Sequence, residues 1–266
     1  MAEFRVGTLE GEEAGEGTPV VLLHGLTATR RYVVMGSRSL ERSGHRVVAY
    51  DARGHGASGP AQPYDYAALA ADLEAVLDDR GIEHAVLAGA SMGAHTIVRF
   101  ALDHPERVTA ACLITPAHVP GEERDDERLA RWDALAEGLR TRGVEGFVEA
   151  YGEPSAGPQF AETISRVLRQ RLGAHAHPDA VADALEQVPR SAPFESWSDL
   201  TAIEAPTVVV ASRDEADPGH PLATGRRWGE LIPGARVLTE DEGKSPLAWQ
   251  GGQLSKVIAD LAATTA

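Results

Sequence analysis

The chain has 266 residues and a single cysteine, Cys112, so it is long enough to bury its own core and holds no internal disulfide. Its 40 acidic residues against 25 lysines and arginines leave a formal net charge of −15, which disfavours nucleic acids and anionic membranes as partners. No apolar run reaches the length of a membrane span, and the opening MAEFRVGTLEGEEAGEG lacks the basic head and apolar core of a signal peptide; a cytoplasmic protein acting on a small molecule is expected.

Residues 1–116 alternate short apolar strands with helices. TPVVLLHG, RVVAYD, HAVLAGAS and RVTAACLIT read as strands, and their continuous Val/Leu/Ile character predicts a sheet covered on both faces. Between them, DYAALAADLEAVLDDRG reads as a helix that starts at an Asp cap and stops at Gly81, and MGAHTIVRFALDHPERV as one that stops before Pro105. Residues 117–200 change character. DERLARWDALAEGLRTRG, AETISRVLRQRLGAH and HPDAVADALEQV are helical with no strand between them, and YGEPSAGP interrupts them. From residue 201 the alternation resumes, with APTVVVASRD and ARVLTED as strands, and HPLATGRRWGELI and SKVIADLAA as helices. The expected class is α/β: a mostly parallel central sheet with helices on both faces, built from 1–116 and 201–266 and interrupted by a helical lid at 117–200.

The strongest chemical signal is GASMG, residues 89–93, where a strand meets a helix. In that context a G-x-S-x-G pattern implies a tight turn that lifts Ser91 above the sheet edge, as a nucleophile requires. An acyl-transfer nucleophile also needs donors for the developing oxyanion, and these are expected from the backbone amides of Met92 and Leu26, with Thr27 as an alternative in HGLTAT. His24, which opens that loop, reads as structural.

With YDARGHGASG added, the pieces resemble the α/β-hydrolase fold superfamily, and within it the lid-bearing esterase, lactonase and haloperoxidase-like branch. LLHG, DARGHGAS, GASMGA, LDHPERV and APTVVVASRD fall in the family's order along both sheet blocks. The resemblance implies a serine hydrolase of small esters, thioesters or lactones, without metal or organic cofactor, and structural roles for His55 and His104. It also implies the order Ser, acid, His, with the acid just after the strand that follows the lid. Asp214 is the closest match to that position and Asp217 the second candidate, although Asp217-Pro218 also reads as a helix cap. Ala90 stands where the family often has histidine.

The base departs from the family pattern. Where a Gly-His pair is expected the chain has Gly243-Lys244, and no histidine follows. Three readings stay open. His220 or His118 serves as base from another loop. Alternatively Lys244 serves, which requires a lowered lysine pKa that a neighbouring carboxylate would oppose. Or the triad is degenerate, and the fold binds a small ligand or supports a lyase, cyclase or isomerase step. His175 and His177 read as surface histidines of the lid, Arg190 and Ser191 as candidates for a pocket mouth, and Trp249 and Gln250 as packing near the Lys244 loop. Oligomeric state is not written in these motifs.

Overall fold

The computed structural model describes residues 1–153, 157–214, 217, 219–241 and 249–265. Eight strands form one sheet: β1 (Ala2–Val6), β2 (Leu9–Ala14), β3 (Thr18–Leu23), β4 (His45–Tyr50), β5 (Ala85–Ala90), β6 (Val108–Ile114), β7 (Thr207–Val210) and β8 (Arg236–Leu238). Their spatial order is β1-β2-β4-β3-β5-β6-β7-β8. The β1–β2 and β2–β4 pairings are antiparallel. All later pairings are parallel.

The helices are α1 (Ser39–Arg42), α2 (Tyr66–Asp79), α3 (Met92–Asp103), α4 (Asp126–Tyr151), α5 (Ala161–Leu172), α6 (Pro178–Gln187), α7 (Leu222–Leu231) and α8 (Gly251–Ala262). Alternate residues of the inner strands feed two separate cores. Val21, Leu23 and Leu87 pack with α2, α3 and the buried Trp228 of α7. Val20, Leu22, Val86 and Ala88 pack with Leu40 of α1 and with Leu254 and Ile258 of α8. A parallel sheet shielded this way has no solvent face, which is why its strands read as unbroken apolar runs. No helix of the described residues is long and apolar enough to cross a membrane.

Helix α2 begins where Asp65 accepts a hydrogen bond from the Ala68 N–H at 2.7 Å, as its cap position demands. The N-terminal hairpin was not legible as strands. Only Phe4, Leu9 and Gly11 of it are buried, and most of the remaining positions are charged, on a hairpin that ends the sheet.

Between β6 and β7 the described chain runs through α4, α5 and α6. Helix α4 breaks at Gly143, whose backbone adopts φ 63° and ψ −150°. Its two limbs then approach so closely that a Cβ on Gly138 would stand 2.5 Å from the Gly146 carbonyl oxygen. Leu135, Leu139, Phe147, Leu168, Leu172, Val181 and Leu185 give this helical insertion a small core of its own.

The chain leaves β3 to one side for β4 and to the other for β5, so a crevice opens beyond their carboxyl ends. Gly93 controls how closely α3 sits to that point, because a Cβ there would lie 2.2 Å from the Leu23 carbonyl oxygen. Gly93→Ala is expected to destabilise the protein by about 3 kcal/mol in urea unfolding. Gly252 lies in α8 with nothing within 4 Å of an added Cβ. There the same change should be neutral or stabilising by up to about 1 kcal/mol.

Candidate active site

Ser91 sits between β5 and α3 with φ 50° and ψ −111°, a conformation that L-residues other than glycine rarely adopt. Close packing holds it there. A Cβ on Gly89 would meet the Gly93 carbonyl carbon at 2.4 Å, so strand and helix touch backbone to backbone on either side of the serine. The Ser91 N–H donates to the Ile114 carbonyl at 2.9 Å, and the His95 N–H to the Ser91 carbonyl at 3.0 Å. The turn is thereby tied to β6 and to its own helix.

His220 lies in the loop between β7 and α7, with its Nε2 2.9 Å from Ser91 Oγ. Its Nδ1 is 2.9 and 3.0 Å from the two carboxylate oxygens of Asp217, three positions earlier. A carboxylate only accepts, so Nδ1 carries the proton and Nε2 is left free to accept from the serine hydroxyl. Asp214 stands elsewhere. Its Oδ1 accepts from the Leu222 N–H at 2.7 Å and caps the start of α7. The carboxylate on the imidazole is therefore that of Asp217 and not that of Asp214. The spacing D-x-x-H, which puts an acid and an imidazole on one turn, is the signal that could have distinguished them.

The other histidines are committed to different partners. His118 donates from Nε2 to the Phe194 carbonyl at 3.2 Å and is buried. Burial holds its pKa below the ordinary value. His95 was not singled out in the sequence. Its Nε2 accepts from the Ala117 and His118 amides at 3.0 and 3.2 Å, which leaves Nδ1 to donate to the Tyr66 hydroxyl at 2.8 Å. His175 is not a free surface residue. Its Nδ1 accepts from the Gly56 N–H at 2.8 Å and its Nε2 donates to the Thr27 carbonyl at 3.1 Å. His177 is exposed. Arg190 pairs with Asp133 of α4 at 2.7 Å, and the Ser191 hydroxyl donates to the Val188 carbonyl at 3.0 Å, so both are engaged locally. Lys244 lies outside the described residues. On the described residues either side, the buried Glu240 accepts from the Arg213 N–H at 2.7 Å and from the Trp249 indole at 3.1 Å.

Two loops at the strand ends surround Ser91. A Cβ on Gly25 would stand 3.5 Å from Ser91 Cβ, so the HGLT turn abuts the serine directly. His24 anchors that turn. Its Nε2 accepts from the Ala52 N–H at 2.9 Å, which fixes the tautomer, and its Nδ1 donates to the Gly25 carbonyl at 2.8 Å. Asp51 organises the second loop by accepting from the Arg30 and Ala57 amides at 2.8 and 3.0 Å and pairing with the Arg30 guanidinium. Met92 is the first residue of α3, so its N–H has no intrahelical acceptor. The Leu26 N–H likewise donates to no protein group among the described residues.

Residues 18–195 match the sequence model of the alpha/beta hydrolase fold. The chain belongs to the α/β-hydrolase fold family. Among the relatives of this α/β-hydrolase is a Synechocystis protein named as a candidate non-haem chloroperoxidase, 37% identical over 259 residues that cover 90% of this chain and 88% of the relative. Another is a candidate carbamate hydrolase, RutD, of Variovorax paradoxus, 32% identical over 209 residues, 76% of this chain and 75% of that one. Among solved structures, a thermophilic esterase from Thermogutta terrifontis superposes with a TM-score of 0.81 at 22% identity, covering 100% of this chain and 99% of that one; it shares the fold.

The buried histidines beneath this site also couple the protein's stability to acid. Burial drives His24 down from 6.5 to about 3. Its folded pKa lies below its unfolded one, so the unfolded chain takes up the proton first as pH falls. The stabilisation is complete above about pH 6.5 and drains away down to about pH 3. The slope is roughly 1.4 kcal/mol per pH unit for each such histidine. Denaturant titrations across this window should show stability falling with acid. His24→Asn should lower stability at neutral pH and flatten the decline, and parallel curves for the two proteins would contradict the assignment.

Proposed function

We propose that this α/β-hydrolase-family protein is a serine hydrolase of small esters, thioesters or lactones, with Ser91 as nucleophile, His220 as base and Asp217 as the orienting acid. The reading rests on the hydrogen-bonded chain from Asp217 through His220 to Ser91 Oγ, at 2.9 Å for each imidazole contact. A serine hydroxyl is a weak nucleophile until a neighbour takes its proton, and a neutral imidazole held in one tautomer by a carboxylate is suited to that work.

In the proposed reaction Ser91 Oγ attacks the carbonyl carbon as its proton passes to His220 Nε2. The negative charge that develops on the carbonyl oxygen is held by the Met92 and Leu26 amides. The imidazolium then returns the proton to the departing alcohol, thiol or ring oxygen, leaving an acyl-serine. Water, deprotonated by His220, releases the acid and regenerates the enzyme. Every step uses side chains, backbone amides and water. The helical insertion packs Ala180, Ala184 and Val188 of α6 and the following turn against Met92, and we assign it the role of a lid. The name of one relative, a candidate carbamate hydrolase, points to a carbonyl substrate, while that of another, a candidate non-haem chloroperoxidase, does not; the choice of carbonyl substrates therefore rests on the Asp217–His220–Ser91 chain.

A fluorophosphonate should form one adduct per chain by intact mass, absent in Ser91→Ala. His220→Ala should slow ester turnover by about 10⁴-fold, and Asp217→Asn by about 10²–10⁴-fold. Asp214→Ala should leave labelling at the wild-type rate while lowering the melting temperature, because its carboxylate caps α7. Loss of labelling on changing Asp214, with Asp217→Asn fully active, would reverse the assignment of the acid.

A further inference from the structure

The Leu26–Thr27 turn is held by the insertion as well as by the sheet. The Ala28 N–H closes the turn onto the Gly25 carbonyl at 3.0 Å. Thr27 occupies it with φ 70°, a left-handed conformation that is costly for a β-branched residue and ordinarily given to glycine. Thr27 is also buried, so solvent offers its polar groups little compensation.

Three side-chain contacts from the insertion converge on this turn. Arg171, near the end of α5, donates from Nη2 to Thr27 Oγ1 at 3.0 Å and to the Leu26 carbonyl at 3.3 Å. His175 donates to the Thr27 carbonyl at 3.1 Å. The same stretch is stitched to the second strand-end loop, because His175 Nδ1 accepts from the Gly56 N–H and the Ala176 N–H donates to the Gly56 carbonyl, each at 2.8 Å. The guanidinium also faces the Tyr32 ring at 5.7 Å. Arg171 thus places its charge on neutral oxygens of one turn, where a charged donor makes a stronger bond than a neutral one.

These bonds bracket a single amide. The peptide unit is planar and trans, so the Leu26 N–H points opposite to the Gly25 carbonyl. That carbonyl is held inward by His24 and the Ala28 N–H. The next two carbonyls, of Leu26 and Thr27, are held by Arg171 and His175. Every carbonyl of the turn therefore has a donor, and the direction of the Leu26 N–H is fixed from both sides.

We infer that Arg171 and His175 are positioning residues for the oxyanion donor, so that seating the helical insertion on the Leu26–Thr27 turn completes the transition-state site. This rests on the serine-hydrolase reading above. It adds that the insertion acts on the chemical step as well as covering the site. A donor aimed before the reaction begins costs no reorganisation when charge develops, and a misdirected one loses most of its effect.

The test uses Arg171→Met, Thr27→Val and the double variant Arg171→Met/Thr27→Gly in the full chain. Active sites are counted by fluorophosphonate titration, turnover is measured on p-nitrophenyl butyrate, and affinity is measured for a trifluoromethyl ketone, whose serine adduct places an oxyanion in the same site. Arg171→Met should lower kcat per titrated site by about 10–100-fold, with KM within about threefold and ketone affinity falling in parallel with kcat/KM. Thr27→Val removes only the Oγ1 acceptor and should lower kcat less. Glycine tolerates the left-handed turn unaided, so the double variant should recover part of the kcat lost in Arg171→Met. Wild-type kcat per titrated site and wild-type ketone affinity in both single variants would overturn the inference while leaving Ser91 as nucleophile. A wild-type protein that forms no Ser91 adduct would overturn both readings together.

Discussion

Gly89 and Gly93 bring β5 and α3 together at distances no Cβ can occupy, and this contact sets where everything else in the site must be. It forces the chain to reverse within one residue, which throws Ser91 into its disfavoured conformation and turns Oγ outward. It also seats α3 against the Leu23 carbonyl, so the end of β3 and the loop that follows it come to rest beside the serine. The strain at one residue persists because strand pairing, two cores and the turn's own hydrogen bonds over-determine it.

Around that fixed point the site is assembled from loops that the sheet delivers to one end. His24 and Asp51 do no chemistry in the proposed reaction, yet each fastens a strand-end loop with hydrogen bonds to backbone amides. Arg53 extends the same scaffold, pairing with Asp72 of α2 through two bonds of 2.7 and 2.8 Å. These polar groups are buried and nearly all are paired, which lets them specify loop positions without leaving uncompensated desolvation.

The inner strands and their helices were legible because burial on both faces leaves an apolar run that only a covered sheet explains. The Ser91 turn was legible because its glycines are a steric requirement written directly in the sequence. The edge hairpin was not, since charged residues on a half-exposed edge carry little periodicity. The carboxylate that contacts His220 was not picked out, for a different reason. Asp214 and Asp217 lie on the same short loop, and family order cannot say which side chain faces the imidazole and which caps the next helix. The link from His175 to the Leu26–Thr27 turn was also invisible, because its partner carbonyl is 148 positions away in the chain.

The pairing of Asp217 with His220 has a topological consequence. In the expected family order, nucleophile, acid and base arrive on three separate segments, and the fold must bring all three into register. Here the Asp217 carboxylate and the His220 imidazole are neighbours three positions apart, so their mutual geometry is a local property of that loop. Among the described residues, the long-range junction in this chain of bonds is between His220 and Ser91, 129 positions apart. In the proposed reaction the relay is thus a two-body assembly, a strained elbow joined to one loop that carries both the carboxylate and the imidazole.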